Sequence, residues 1–300
     1  MSSVAWDPVT GGPVLLAPGR AARPHDTRAA RNPSRRPCPF CEGAEQDTPL
    51  ETYAERPEGG EPNTPGWSVR VVPNKFPVIA EDEGIHEVVI PTSRHVVELT
   101  ELTEQEAARA LRVWAIRLEA IGTDPRGLWP FCFVNQGAAA GASLQHTHAQ
   151  IVGLPVEPPR LLAIERTFAR ANPVAEDLAA ADTRLVAEAD GMAAWCPAVP
   201  PYTGTVRIAP REPTAALGEH TDFGELGRLL LDVATRIDSA LGAPSLNLLV
   251  HQRRPVGPDA YHWHIDVVPR VGTLAGLELG SGVIAIAGAP EATAARLRQA

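Results

Sequence analysis

Apolar positions along the 300-residue chain fall into two successive series of the same kind. In the first, Val69-Arg70-Val71-Val72-Pro73 and Gly84-Ile85-His86-Glu87-Val88-Val89-Ile90-Pro91 read as strands, the latter alternating and stopping at its proline. Thr103-Glu104-Gln105-Glu106 has the spacing of a capping box. Ala107, Leu111, Trp114, Ala115, Leu118 and Ile121 then recur at helical spacing, which predicts a helix to about Gly122 with one buried face. A strand at Phe131-Cys132-Phe133-Val134 follows, then a Gly/Ala loop, then a strand from His146 to Leu154.

The second series repeats the order. Val206-Arg207-Ile208-Ala209-Pro210 predicts a strand, and Leu226, Leu230, Val233 and Ile237 mark the inner face of a helix over about 223–241. Leu246-Asn247-Leu248-Leu249-Val250 is the next strand, and His262-Trp263-His264 echoes His146-Thr147-His148. The period of roughly 115 residues is too long for a solenoid and implies duplication of a small domain. The expected fold class is α+β, with two tandem halves over 1–172 and 173–300, each an antiparallel sheet with a packed helix. The sheets are expected to be antiparallel because links between strands are mostly short, and residues near 160–192 form the expected connector. Residues 1–65, rich in Pro, Gly and Arg, predict loops and short strands wrapped on the rest.

Composition narrows the function. A formal net charge of -9 does not favour nucleic acid or an anionic membrane, and no apolar run is long enough to span a bilayer. The N-terminus lacks the pattern of a signal peptide, and two of the four cysteines lie in apolar runs, so a cytoplasmic protein is expected. Lys75 is the only lysine, so any bound phosphate must rest on Arg, His and backbone N–H groups.

Three clusters carry chemistry. His146, His148 and Gln150 alternate on an expected strand and so share a face. Just before them, the small-residue loop 137–142, flanked by Asn135 and Ser143, lets backbone N–H groups approach a phosphate. The bland alternative is a pair of satisfied surface histidines beside a loop. Cys38-Pro39-Phe40-Cys41 supplies half of a tetrahedral zinc site, with His95 and His146 as candidates for the rest. A redox pair is the alternative, against which no strand-to-helix pattern surrounds the cysteines. His251, His262 and His264 are candidates for a second metal, with Glu165 as the completing carboxylate; ordinary packing is the alternative.

These residues resemble the galactose-1-phosphate uridylyltransferase family of the histidine-triad superfamily over nearly the whole chain. The resemblance implies two histidine-triad-like halves. It implies that Arg20 and Arg23, after Asp7-Pro8-Val9-Thr10-Gly11, approach a nucleotide, and that Asn74, in Val72-Pro73-Asn74-Lys75-Phe76-Pro77, contacts the nucleoside. It further implies zinc on Cys38, Cys41, His95 and His146, phosphates at Asn135 and Ser143, and His148 as nucleophile with Gln150 beside it. His251, His262 and His264 match ligands of a second, iron- or zinc-type site, and Glu278 matches a contact to sugar hydroxyls. Two departures stand out: Leu277 replaces an aromatic residue found in many relatives, and no lysine lies near Glu278.

The expected activity is nucleotidyl transfer, of the UDP-glucose–hexose-1-phosphate uridylyltransferase type, through a covalent intermediate on His148 in a homodimer. The partners are then a nucleotide sugar and a sugar 1-phosphate, with no nucleic acid and no membrane. The same scaffold also serves nucleotide-sugar phosphorylases of the ADP-glucose type and hydrolases, and a catalytically inactive nucleotide-binding protein is the remaining alternative.

Overall fold

The computed structural model describes residues 2–22, 38–255, 257, 258 and 260–300. In chain order the strands and helices are β1 (Ser3–Trp6), β2 (Pro13–Leu16), β3 (Tyr53–Glu55), β4 (Val69–Pro73), β5 (Ile85–Ile90), α1 (Glu104–Gly122), β6 (Trp129–Gln136) and β7 (Ala149–Leu154). Then come α2 (Pro159–Phe168), α3 (Pro173–Ala179), β8 (Leu185–Ala189), β9 (Met192–Trp195), β10 (Val206–Pro210), α4 (Phe223–Leu241), β11 (Leu246–His251), β12 (His264–Pro269), α5 (Gly276–Ser281) and α6 (Pro290–Arg298).

The two series of elements share one sheet, where the sequence alone predicts a separate sheet in each half. Its ten strands run β3-β4-β5-β7-β6-β11-β12-β10-β9-β8, and every neighbouring pair is antiparallel. β6 meets β11 in the middle, with Asn135 opposite Asn247 and Phe133 opposite Leu249. Outward from this seam the order β6-β7-β5-β4-β3 on one side matches β11-β12-β10-β9-β8 on the other. The boundary expected after residue 172 falls in the short link between α2 and α3. The class is thus α+β.

Both long helices start where their sequences say they should. The Thr103 hydroxyl accepts from the Glu106 N–H at 3.2 Å, and the Glu106 carboxylate accepts from the Thr103 N–H at 2.9 Å, closing the capping box. Asp222 caps α4 by accepting from the N–H groups of Gly224 and Glu225. Gly242, at φ 79°, ends α4 in the left-handed conformation that glycine adopts without strain.

α1 and α4 pack together on one face of the sheet. Leu111, Leu118, Leu226, Leu230 and Val233 meet Cys132, Val134, Ile151, Leu248 and Ile265 in one core. The helices approach so closely that a Cβ at Gly227 would lie 3.0 Å from the Ala108 nitrogen.

Among the described residues the opposite face is covered only at its flanks. Phe40 and Trp67 lie over Val72, Val88 and Ile90 on one side. Phe168 and Val174, from α2 and α3, lie with Ala193, Trp195, Ala209 and Tyr261 on the other. Between them Phe131, Phe133, Asn135, Asn247 and Leu249 remain half-buried. Alternation along β7 and β12 places Gln150 and Asp266 on this same face. The strands expected to begin at His146 and His262 begin instead at Ala149 and His264. The paired histidines therefore sit where chain enters strand, and Thr147 N donates to Val96 O at 2.8 Å to anchor that entry.

Candidate functional site

The first cluster gathers at the entry to β7. His146 and His148 are both buried, and each imidazole meets the edge of the Phe40 ring, at centroid distances of 5.9 and 5.2 Å. Nδ1 of His148 lies 2.7 Å from the His146 carbonyl oxygen. A carbonyl can only accept, so Nδ1 carries the proton and the lone pair of a neutral ring resides on Nε2. That is the tautomer a nitrogen nucleophile needs. Gln150, two residues on, is also buried. Its Oε1 is 3.0 Å from His86 Nε2 and 3.4 Å from Asn74 Nδ2. His86 had no distinguishing mark in the sequence beyond its place on an alternating strand.

The residues expected around the nucleotide are distributed as follows. Arg20 Nη1 donates to Phe76 O at 2.9 Å, tying the N-terminal segment to the Asn74 turn, and burial lowers its pKa. Arg23 lies outside the described residues. Asn135 accepts from Asn247 Nδ2 at 2.7 Å across the seam, and the same amide reaches Ala140 O at 3.1 Å, joining both halves to the small-residue loop. Ser143 is half-buried at the end of that loop. Glu278 is turned to its own segment, accepting from the N–H groups of Ala275 at 2.9 Å and Ala285 at 3.4 Å.

Cys38, Cys41, His95 and His146 converge, each offering one donor atom, with all four atoms within 4.8 Å of one another. Tetrahedral zinc with bonds of about 2.3 Å to sulfur and 2.0 Å to nitrogen holds S and N about 3.5 Å apart. The separations here are 3.5 Å for Cys38 Sγ to His146 Nδ1, 3.3 Å for Cys41 Sγ to His95 Nδ1 and 3.8 Å for Cys41 Sγ to His146 Nδ1. The donor set therefore fits a closed zinc site. Burial, then the neighbouring Cys38 thiol, push Cys41 up to about 11. Burial, then His95 and His148, lower His146 to about 4, keeping it neutral as a ligand must be.

The second cluster differs from its expected composition. His251 and His264 stack at 4.7 Å, and their partner is Asp266 rather than Glu165 or His262. The Glu165 carboxylate is held by Arg254 at 2.8 and 3.0 Å, and that guanidinium lies 3.4 Å from the Trp129 ring centroid. His262 directs Nε2 to Pro210 O at 2.8 Å. Asp266 is itself bound in two-pronged fashion by Arg207, at 2.8 and 3.0 Å. His251 Nε2 stands 3.9 Å from Asp266 Oδ2, wider than the roughly 3.4 Å that tetrahedral bonds of about 2.0 Å would set. Burial lowers His251 to about 4 and lowers His264 as well. Burial alone would raise the Asp266 carboxyl, yet Arg207 brings it below the usual carboxylate range. The four-ligand set of His251, His262, His264 and Glu165 does not assemble. In its place stands an arginine–aspartate pair flanked by two neutral imidazoles.

The two clusters are counterparts across the seam. His264 sits as far along the chain from His148 as Asp266 from Gln150, and His264 Nδ1 lies 3.1 Å from the His262 carbonyl, repeating the His148 geometry. His251 takes the place of Asn135.

The chain is similar to several known proteins. The family profile described as galactose-1-phosphate uridyl transferase, N-terminal domain, matches residues 70–158. An ADP-glucose phosphorylase of Arabidopsis thaliana is 27% identical over 308 residues, covering 92% of this chain and 86% of that protein. A galactose-1-phosphate uridylyltransferase of Streptomyces lividans is 33% identical over 171 residues, which cover 56% of this chain and 42% of the relative. A solved uridylyltransferase structure superposes with a TM-score of 0.81 at 25% identity, covering 100% of this chain and 98% of that one. No helix among the described residues is long and apolar enough to cross a membrane. The matched profile includes His95, His146, His148 and Gln150, and the solved uridylyltransferase structures extend the likeness to both halves: the chain is similar to the galactose-1-phosphate uridylyltransferase family over its whole length.

Proposed function

We propose that the protein transfers a nucleoside monophosphate from a nucleotide sugar to a phosphate-bearing acceptor through a covalent intermediate on His148. The observation that carries this is the 2.7 Å contact from His148 Nδ1 to the His146 carbonyl, which holds the proton on Nδ1 and puts the lone pair of the neutral ring on Nε2. Nε2 attacks the α-phosphorus, the bond to the bridging oxygen breaks, and sugar 1-phosphate leaves with that electron pair. The nucleotidylated ring then carries a positive charge, which the His146 carbonyl stabilises through the Nδ1 proton. A phosphate oxygen of the acceptor attacks next, the P–N bond breaks, and neutral His148 returns.

Negative charge grows on the non-bridging oxygens during both steps. The Gln150 amide, Ser143 and the N–H groups of loop 137–142 are the donors assigned to it, and a phosphate leaving group needs no acid. Arg20, Arg23 and Asn74 are assigned to the nucleotide and Glu278 to the sugar. Zinc on Cys38, Cys41, His95 and His146 would be structural, fastening the N-terminal segment beside His148.

Uridylyl transfer between hexose 1-phosphates is the specific reaction assigned. A second reading, with inorganic phosphate as acceptor, is favoured by the similarity to an ADP-glucose phosphorylase over most of both chains and by the lack of a lysine near Glu278. A homodimer in the cytoplasm completes the proposal. Incubation with UDP-glucose or ADP-glucose, without acceptor, should add one nucleoside monophosphate, seen by intact-protein mass spectrometry. Acceptor is then added as galactose 1-phosphate or as inorganic phosphate, and the faster discharge names the reaction. Full transfer by His148→Ala, or steady-state kinetics of a ternary complex with no adduct, would end the double-displacement reading.

A further inference from the structure

The residue that holds Gln150 is as well defined as Gln150 itself. His86 is buried on β5, on the same face of the sheet as Gln150. The backbone N–H of Val78 lies 3.0 Å from His86 Nδ1. A backbone amide can only donate, so Nδ1 is unprotonated, and a neutral His86 carries its proton on Nε2. That Nε2–H faces Gln150 Oε1 at 3.0 Å. Asn74 reinforces the arrangement. Its Oδ1 accepts from the Phe76 N–H at 2.9 Å, so its NH2 group is the end that lies 3.4 Å from Gln150 Oε1. The 3.1 Å approach of Asn74 Nδ2 to His86 Nε2 is then two donors meeting on one oxygen. Rotating the Gln150 amide by half a turn would set its NH2 against both, leaving the buried His86 and Gln150 donors and the half-buried Asn74 donor facing one another with no acceptor between them.

We infer that His86, fixed as the Nε2–H tautomer by the Val78 backbone, is a positioning residue that locks the Gln150 amide with its oxygen inward and its NH2 free to donate beside His148. The inference deepens the proposed reaction and rests on it for its kinetic consequence. It gives the transferring phosphoryl group a donor of fixed sense, where a freely flipping amide would present its oxygen, and repel that group, part of the time.

Two measurements test it. On 15N-labelled protein without substrate, the ring nitrogens of His86 should report a protonated Nε2 and an unprotonated Nδ1. The opposite tautomer would overturn the inference whether or not the protein transfers nucleotides. The second measurement is the single-turnover rate of nucleotidyl-enzyme formation. His86→Leu should slow it roughly 10- to 100-fold, below the full loss of an oxyanion donor, with little change in the nucleotide-sugar concentration at half-saturation. His86→Gln, which can return a donor to the Nε2 position, should recover part of the rate. In the Gln150→Ala background, His86→Leu should cost almost nothing more. Losses that multiply in the double variant would show that His86 supports only the fold. Absence of adduct in the wild type would overturn the double-displacement reading instead, and the tautomer would still decide the placement of His86.

Discussion

Replacing Arg207 by Met should be among the most destabilising single changes in the second half. Arg207, half-buried, and Asp266, buried, are register partners on β10 and β12, with two contacts at 2.8 and 3.0 Å beside the buried His251 and His264. Both imidazoles are held neutral by burial, so neither replaces the guanidinium as counter-charge. Removing one member of such a pair costs about 3–5 kcal/mol, because the remaining charge stays desolvated. Removing both, as Arg207→Met with Asp266→Leu, should return most of that loss, since apolar packing of similar volume is often neutral there. The assay is reversible urea unfolding of the two single variants and the double variant. The pH dependence has a definite sign. In the wild type Asp266 is held below the usual carboxylate range, so its contribution is complete above that range and fades as pH falls. In Arg207→Met the unpaired carboxyl is raised instead and becomes neutral in mild acid, so the deficit should shrink as pH is lowered. A loss under about 1 kcal/mol for Arg207→Met, or single losses that simply add in the double variant, would refute the argument.

Other expectations follow from the same geometry. Cys38→Ser should abolish stoichiometric zinc and lower the melting temperature, read by metal analysis and calorimetry; unchanged zinc would exclude the four-residue site. Burial alone would raise Glu106, but Arg94, Thr92 and Thr103 hold it down to about 2, so its contribution is present above its ordinary range and lost as pH falls toward 2. Glu106→Gln should therefore flatten the acid limb of a stability-against-pH curve and leave the alkaline limb alone. Gly153→Ala should cost about 1–3 kcal/mol, because its new methyl group would lie 2.7 Å from an Ile121 side-chain carbon and 2.9 Å from one of Leu128. A stable variant with unchanged unfolding midpoint would mean that α1 lies farther from β7 than these contacts require.

What the sequence disclosed was local, and what it withheld depends on distant pairing. The capping box at Thr103 and the apolar spacing of α1 and α4 are short-range, and the helices begin and end where that spacing predicts. The Cys-x-x-Cys spacing likewise announces a knuckle. The seam between β6 and β11 joins strands far apart in the chain, and nothing in either strand names the other. Glu165 and Asp266 illustrate the same limit. Each carboxylate finds its arginine through the fold, so a search by residue type alone paired the histidines with the wrong one. His86 carries chemical weight only because Val78 and Gln150 lie on either side of its ring.

The continuous sheet also explains how its two halves came to hold such different residues at matching places. In a dimer of identical subunits a change at one position is a change at both, so a residue suited to chemistry must also suit the opposite copy. Joining the copies in one chain removes that constraint and makes their association independent of concentration. In the proposed reaction Gln150 is then a neutral donor on one side, while Asp266 holds an arginine on the other. One half then specialises in the proposed chemistry and the other in support, and the shared sheet keeps the two together.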